Sequence, residues 1–227
     1  MTAQRELKVK ICGLTDVDTI EGMNGLPFHY LGLVFAPSRR QVTGKQAGKL
    51  VEAARKIKGA GGNRPLVVGV FVNASIAYIG EVLNDAPLDV VQLHGQESAN
   101  DMRELREAYP HLQIWKVCSV AKEEPKEYEQ ILMELSAYRT TINALLIDAP
   151  GGGTGQTFNW ERIEAYGRAA RQLGLPLFVA GGLHADNVRE LLEKHSPDGI
   201  DVSSGVEIEG RKDLGKIALF IRRVMER

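Results

Sequence analysis

Two reactive side chains stand at the ends of apolar segments that are far apart in the sequence. The segment 8–12 ends on the thiol of Cys12, and the segment 144–147 leads directly into the carboxylate of Asp148. Glycine follows both, as Gly13 and within residues 151–155, and leaves room for a ligand. A thiolate that accepts a proton and a carboxyl group that donates one are suited to general acid–base catalysis. Cys12 is therefore a candidate base and Asp148 a candidate acid.

Lys10 could set the proton affinity of Cys12. Residues two apart in a strand face the same way, so both side chains share one face at a separation of roughly 7 Å. At an effective dielectric constant of about 20, the lysine charge favours the thiolate by roughly 2 kcal/mol. That suffices for a base near neutral pH unless burial of the thiolate cancels it. Alternatively, Cys12 is a small apolar packing residue, and Lys10 only fills and neutralises the interior.

Asp148 ends a segment that is predicted to be buried. A carboxylate there is costly unless it is solvated or paired, and in a partly closed site its pKa can rise enough for it to donate a proton. The alternative is that Asp148 caps the following loop, which is a common role of aspartate.

Two later apolar segments end in residues suited to phosphate. Gly181 and Gly182 follow one segment, and Ser203, Ser204 and Gly205 follow the last. Glycines let backbone N–H groups approach a phosphate, and a nearby helix N-terminus adds a favourable dipole. Either group alone is typical of a turn, but both together predict a phosphate site. No Gly-Gly pair follows the third or fourth segment, so one phosphate is expected rather than two.

Three other residues could support a ligand or remain structural. Arg40, in the loop 35–42, could hold a carboxylate through two hydrogen bonds, although loop arginines are often simply solvated. His94 could donate to a substrate or support Asp148, and a structural histidine is an equal alternative. Cys118 is interpreted as a packing residue. The spacing of the histidines and cysteines predicts no metal site.

The elements that must position these residues alternate regularly. Predicted strands are 8–12, 30–35, 66–72, 90–93, 114–117, 144–147, 177–180 and 199–202. Predicted helices are 16–23, 45–57, 76–83, 99–108, 128–138, 160–173, 186–194 and 214–224. Eight alternations predict an α/β fold, a (β/α)8 TIM barrel, whose strand carboxyl ends form the active site. The alternative is an open doubly wound sheet, but its Gly-x-Gly-x-x-Gly turn is missing after the first strand.

The composition is that of an ordinary globular enzyme. The 227 residues are 44% hydrophobic and 25% charged, and no linker divides them, so we expect one barrel domain over residues 1–227. The formal net charge of -1 argues against nucleic acid or a membrane surface as the main partner. The first residues lack the apolar core of a signal peptide, and two distant cysteines predict a cytoplasmic protein with reduced thiols.

Six motifs together resemble the phosphoribosylanthranilate isomerase family. They are Lys10-Ile11-Cys12-Gly13-Leu14-Thr15, Phe35-Ala36-Pro37-Ser38-Arg39-Arg40, Gln92-Leu93-His94-Gly95, Asp148 with Gly152-Gly153-Thr154-Gly155, Ala180-Gly181-Gly182-Leu183 and Asp201-Val202-Ser203-Ser204-Gly205-Val206-Glu207. The resemblance implies a cofactor-free barrel of tryptophan biosynthesis with a small sugar-phosphate substrate. Its implied reaction is the Amadori rearrangement of N-(5-phosphoribosyl)anthranilate to 1-(2-carboxyphenylamino)-1-deoxyribulose 5-phosphate.

The resemblance also implies roles by position. Cys12 matches the general base and Asp148 the general acid of the family. Arg40 matches the arginine that binds the anthranilate carboxylate, with Arg39 as the neighbouring alternative. The phosphate would be held mainly by backbone amides of Gly182, Ser204 and Gly205, and the supporting residues would be Asp201 and His94. The oligomeric state stays open.

Three rival functions are weighed against this one. Indole-glycerol phosphate synthase would be expected to use lysine and glutamate, and an aminoimidazole ribonucleotide isomerase to use two carboxylates and two phosphates. A thiol on the first strand and a single phosphate site count against both. A non-catalytic sensor of a phosphate ligand would need no proton transfer, so Cys12→Ser and Asp148→Asn would leave its ligand response intact.

Overall fold

Eight parallel strands close into a barrel in the order of the chain, and helices connect them. The computed structural model describes residues 6–120, 126–149 and 157–226. The barrel strands are β1 Lys8–Cys12, β2 Tyr30–Val34, β3 Leu66–Phe71, β4 Val90–Leu93, β5 Gln113–Ser119, β6 Ala144–Asp148, β7 Leu177–Val179 and β8 Gly199–Val202. Because β1 pairs with β8 as well as with β2, the predicted (β/α)8 barrel is confirmed and the open sheet is wrong.

All eight predicted helices form, with small differences at their ends. They are α1 Val17–Gly22, α2 Gly44–Lys56, α3 Ile76–Asp85, α4 Ala99–Ala108, α5 Tyr128–Ser136, α6 Arg162–Leu173, α7 Val188–Lys194 and α8 Leu214–Met225. Thr43 and Ser98 cap α2 and α4 by accepting N–H groups of the first turn, which fixes where these helices begin. Within the described ranges, no helix combines the length and apolar character needed to cross a bilayer.

Two differences from the predicted elements affect the site. Strand β5 is longer than expected, so Cys118 lies inside it and packs against the outer core instead of following the strand. After β8, a short antiparallel hairpin forms from β9 (Glu207–Ile208) and β10 (Arg211–Lys212). Strands of two residues are too short to produce a recognisable alternation of apolar and polar residues, so the sequence does not reveal them.

Apolar side chains fill the amino-terminal half of the barrel interior. This interior cluster contains Val68, Val90, Trp115, Leu146 and Phe178, together with neighbouring residues. The rings of Trp115 and Phe178 lie 4.4 Å apart between centroids, so no pore runs through the barrel. A second, larger core lies between the strands and the helices. With both layers apolar, polar groups on the strands are concentrated at the carboxyl end.

Candidate active site

A cavity of about 360 Å³ opens at the carboxyl ends of the strands. The predicted site residues that line it are Cys12, Arg40, His94, Asp148, Gly181, Gly182, Asp201, Ser203 and Ser204. Lys10 and Gly205 are not lining residues, although Gly205 directly follows Ser204, which is one. The glycine-rich stretch 151–155, predicted to leave room for a ligand, lies outside the described residues. Side chains from six or more separate segments therefore share one cavity.

Cys12 depends on a glycine in the neighbouring strand. It ends β1 and is paired in register with Gly32 of β2. A Cβ atom at residue 32 would lie 2.7 Å from Cys12 Sγ, so only glycine leaves the sulfur its present place. Gly32 gave no signal in the sequence, because its effect comes from the lateral pairing of two strands.

Lys10 precedes Cys12 by two residues on β1, and its charge interacts with both Asp201 and Cys12. Its ammonium group is fully buried and donates to Asp201 Oδ2 at 2.8 Å, from the next strand around the barrel. Burial opposes that charge, but attraction by Asp201 and Cys12 outweighs it and raises the pKa of Lys10. For Cys12, burial outweighs the attraction of Lys10 and raises the pKa of the thiol. The predicted stabilisation of the thiolate by Lys10 is therefore cancelled by burial, and the charge of Asp201 opposes it as well.

Asp148 is buried at the end of β6, where its carboxylate is disfavoured. Burial, reinforced by the charge of Asp201, raises its pKa to about 7, although the N–H of Ala149 donates to Oδ1 at 2.7 Å. The protonated form of Asp148 is therefore substantially populated near neutral pH. A carboxylic acid with this pKa can donate a proton under physiological conditions.

His94 faces Asp148 as a neutral imidazole. Its Nε2 lies 3.6 Å from Asp148 Oδ2. Burial, together with the charges of Lys10 and Lys116, lowers its pKa to about 4. Lys116 is itself buried and forms an ion pair with Glu97 at 2.7 Å. His94 therefore offers one hydrogen-bond donor and one acceptor, but no charge, at neutral pH.

The structure separates the two neighbouring arginines. The Arg40 side chain is 11% exposed and lines the cavity, whereas that of Arg39 is 58% exposed. Both bind the carboxylate of Glu207, which also contacts Lys212 at 2.6 Å. Burial opposes the charge on Glu207, but hydrogen bonds from Arg40 and Lys212 prevail and lower its pKa to about 2. Glu207 belongs to a motif quoted above but its type gave no role, and Lys212 gave no signal because it lies in a hairpin whose strands are too short to predict.

The glycines and serines after β7 and β8 meet at one side of the cavity. Gly181 and Gly182 have φ angles of +91° and +62°, and a Cβ at residue 181 would lie 2.9 Å from the nitrogen of Ala149. In the described part of the chain, the N–H groups of Gly182 and Ser204 donate to no backbone or side-chain acceptor. A Cβ at Gly205 would overlap the carbonyl oxygen of Leu183, so this glycine joins the two loops closely.

Two buried acceptors at the cavity have no protein partner. Within residues 6–120, 126–149 and 157–226, Gln92 Oε1 and Asp201 Oδ1 accept no hydrogen bond, and both residues line the cavity. Buried acceptors in native proteins are normally paired, so these atoms are suited to a donor on a ligand. Gln92 belongs to a motif quoted above, but its type alone gave no role.

Known proteins resemble this chain over nearly its whole length. The sequence profile described as N-(5'phosphoribosyl)anthranilate (PRA) isomerase matches residues 9–223. An N-(5'-phosphoribosyl)anthranilate isomerase of Brevibacillus brevis is 39% identical over 221 residues, which cover 96% of this chain and 93% of that protein.

Solved structures agree with the sequence similarity. Phosphoribosyl anthranilate isomerase from Thermotoga maritima superposes with a TM-score of 0.76 at 28% identity, covering 98% of this chain and 100% of that one. A phosphoribosyl anthranilate isomerase in complex with reduced 1-(o-carboxyphenylamino)-1-deoxyribulose 5-phosphate gives a TM-score of 0.74 at 28% identity, with the same coverage.

Proposed function

The chain belongs to the N-(5'-phosphoribosyl)anthranilate isomerase family, and from this premise we propose that Cys12 is its catalytic base and Asp148 its catalytic acid. The protein is an isomerase of tryptophan biosynthesis. The observation that carries the residue assignment is that a thiol and a carboxyl group with a pKa of about 7 line the same cavity. A cytoplasmic location stays a prediction that rests on its free thiols.

Asp148 begins the reaction as an acid. Its proton goes to the furanose ring oxygen, the bond between that oxygen and C1' breaks, and the nitrogen lone pair forms an iminium ion. The raised pKa supports this role, because the protonated form is substantially populated at neutral pH. Neutral His94 can hydrogen-bond the new hydroxyl group or Asp148 without opposing the positive iminium charge.

Cys12 then acts as a base. Its thiolate takes the proton from C2', the C–H electron pair forms the C1'–C2' double bond, and the iminium nitrogen becomes neutral. The resulting enolamine gains a proton at C1' and loses its C2' hydroxyl proton to give the ketone. Burial favours the thiol, but a positive iminium ion beside the sulfur shifts the balance towards the thiolate.

The remaining residues bind the two ends of the substrate. Arg40 would hold the anthranilate carboxylate, and backbone N–H groups of Gly182, Ser204 and Gly205 would hold the phosphate. Gln92 Oε1 and Asp201 Oδ1 are acceptors for the pentose hydroxyl groups. The reduced sugar phosphate bound by a structural relative supports a ligand of this class.

The test follows the loss of anthranilate fluorescence when purified protein meets fresh substrate. We expect turnover by the wild type and a fall in kcat of about 10³-fold for Cys12→Ser and for Asp148→Asn. Both variants should bind reduced 1-(o-carboxyphenylamino)-1-deoxyribulose 5-phosphate within about threefold of the wild type. Cys118→Ser, which changes the other free thiol, is the matched control and should keep full activity.

Two results would contradict the proposal at different levels. No turnover by the wild type would remove the isomerase activity itself. A variant of Cys12 or Asp148 that keeps more than a tenth of wild-type kcat would leave the activity in place and remove that residue from the mechanism.

A further inference from the structure

We propose that Glu207 and Lys212 are positioning residues of this isomerase site, which hold Arg40 and Ser203 at the cavity without contacting the substrate. The inference rests on the proposed function. The hairpin β9–β10 places Glu207 and Lys212 directly opposite each other in its register, where they contact Arg40 and Ser203 of the cavity lining. Two-residue strands bury little apolar area, so the polar contacts of the hairpin must account for its place.

Glu207 has no capacity left for a ligand. Its carboxylate accepts from Arg40 Nε at 2.7 Å and Arg40 NH2 at 3.0 Å, as well as from Arg39 at 2.7 Å and Lys212 at 2.6 Å. A carboxylate offers about four acceptor positions, so all of them are used. With its pKa lowered to about 2 by these partners, Glu207 is not a base either. The role of Glu207 is therefore to bind and position the neighbouring cationic side chains.

Lys212 is similarly saturated. An ammonium group has three hydrogens, and its nitrogen contacts the Ser203 carbonyl oxygen at 2.9 Å, Ser203 Oγ at 3.3 Å and Glu207 Oε1 at 2.6 Å. Its side chain is 2% exposed, so it cannot reach a substrate directly. Ser203 in turn donates to the carbonyl oxygen of Cys12 at 3.1 Å. Lys212 thus ties the predicted phosphate loop to the carboxyl end of β1.

Arg40 follows a path that requires an external anchor. Its aliphatic part passes over Gly13, where a Cβ atom would overlap Arg40 Cδ, and the φ angle of Gly13 is +81°. Glu207 grips the Nε edge of the guanidinium in a two-bond arrangement, which fixes the plane of the group as well as its position. A flexible loop arginine is thereby presented to the cavity in one orientation.

The charge of this cluster suits an anionic substrate. Three cations around one carboxylate leave a net charge of two positive units. The substrate carries a carboxylate and a phosphate, so it is drawn towards the cluster, while the charge of Glu207 offsets the repulsion among the three cations. Removing Glu207 would increase the positive charge but release the orientation of Arg40, and these two effects can be separated.

The experiment combines Glu207→Gln, Lys212→Met and Arg40→Met, with kcat and KM measured for phosphoribosylanthranilate. We expect Glu207→Gln and Lys212→Met each to raise KM by about tenfold or more while kcat stays within about threefold. In the Arg40→Met background, Glu207→Gln should change KM less than twofold, because its effect acts through Arg40. Thermal unfolding checks that each variant is folded, and the isosteric Glu207→Gln keeps the test valid if Lys212→Met is not.

Lys216→Met is the matched control. Lys216 donates to the backbone oxygen of Glu207 at 2.9 Å and so anchors the same hairpin without touching the carboxylate. Its KM should stay within about twofold of the wild type. An equal rise in KM for Lys216→Met, an additive effect in the Arg40→Met background, or a fall in KM for Glu207→Gln would each overturn the inference. An inactive wild type would instead overturn the proposed function on which it depends.

Discussion

The two halves of the barrel interior are built by the same strands but have opposite character. On β6, Leu146 belongs to the apolar cluster, and Asp148, two residues later on the same face, lines the cavity. On β4, Val90 and Gln92 repeat this change. The direction of a side chain is thus fixed by the period of the strand, whereas its role is fixed by its height in the barrel.

The difference between the halves is energetic as well as chemical. In the amino-terminal, lower half of the barrel interior, the rings of Tyr30, Trp115 and Phe178 are in contact, and their burial stabilises the fold. In the upper half, at the carboxyl ends of the strands, burial raises the pKa of Asp148 and lowers that of His94, so the folded protein disfavours the charged forms of both. The upper half therefore gains reactivity at some cost in stability.

Trp115→Ala should cause the largest change in stability among the substitutions that compare the two halves. The indole is 1% exposed, and its loss leaves a cavity in the apolar half, so we expect the free energy of unfolding to fall by about 3–5 kcal/mol. Denaturant unfolding measures the loss, and kcat and KM of the folded variant should stay within about threefold.

Asp148→Asn should have the reverse effect of Trp115→Ala in the same unfolding and kinetic measurements: activity is lost and stability is kept. Because the folded protein raises the pKa of Asp148 from its ordinary value of 3.8 to about 7, stability falls as the pH rises between these two values, and the full cost of the ionised side chain is present above about 7. At pH 8 the variant should be at least as stable as the wild type while its kcat collapses. A large loss of stability in Asp148→Asn at pH 8 would contradict the conclusion that the upper half gains reactivity at a cost in stability.

Two interior glycines allow a matched test at different heights. A Cβ at Gly199 would overlap the ring of Phe178, so Gly199→Ala should cost about 1–3 kcal/mol of stability and leave kcat nearly unchanged. At Gly32 the same methyl group displaces Cys12 Sγ, and kcat should fall tenfold or more, since a shift of about 1 Å can cost 10²-fold. Steady-state kinetics and thermal unfolding of both variants test this difference. Equal changes in kcat for Gly199→Ala and Gly32→Ala would contradict it.

The smallest effect is a shift in the pH profile. In the proposed mechanism the active form has protonated Asp148 and ionised Cys12. As the pH rises to about 7, kcat/KM should increase because more Cys12 is ionised; above about 7 the loss of the Asp148 proton offsets that gain, and above the raised pKa of the thiol kcat/KM should fall. In Asp201→Asn, a negative charge that raises the pKa of Asp148 is lost and Lys10 is left unpaired. The acid limb should therefore move to lower pH.

The substrate phosphate also titrates near pH 6, and the variant separates the two groups. A limb that belongs to the phosphate stays in place when Asp201 is changed. If the limb does not move, Asp148 is not the group that the profile reports.

The order of elements and the main candidates were predictable because they depend on local patterns. The short apolar run of β3 is typical of a strand buried on both faces, the apolar residues of α2 recur at helical spacing, and the ends of β1 and β6 are visible as Cys12 and Asp148. The closed barrel follows from eight such alternations, so the sequence predicts that these two residues share one edge of the barrel.

The sequence by itself determined which side chains stand at the carboxyl ends of the strands and in what order. Tertiary structure alone decided their electrostatic state: Asp201 takes up the charge of Lys10 from 191 positions away, and Glu207 selects the orientation of Arg40 across 167. Burial and ion pairing depend on neighbours in space, and closing the barrel brings β8 and its hairpin against β1 and the loop after β2. No local pattern encodes that proximity.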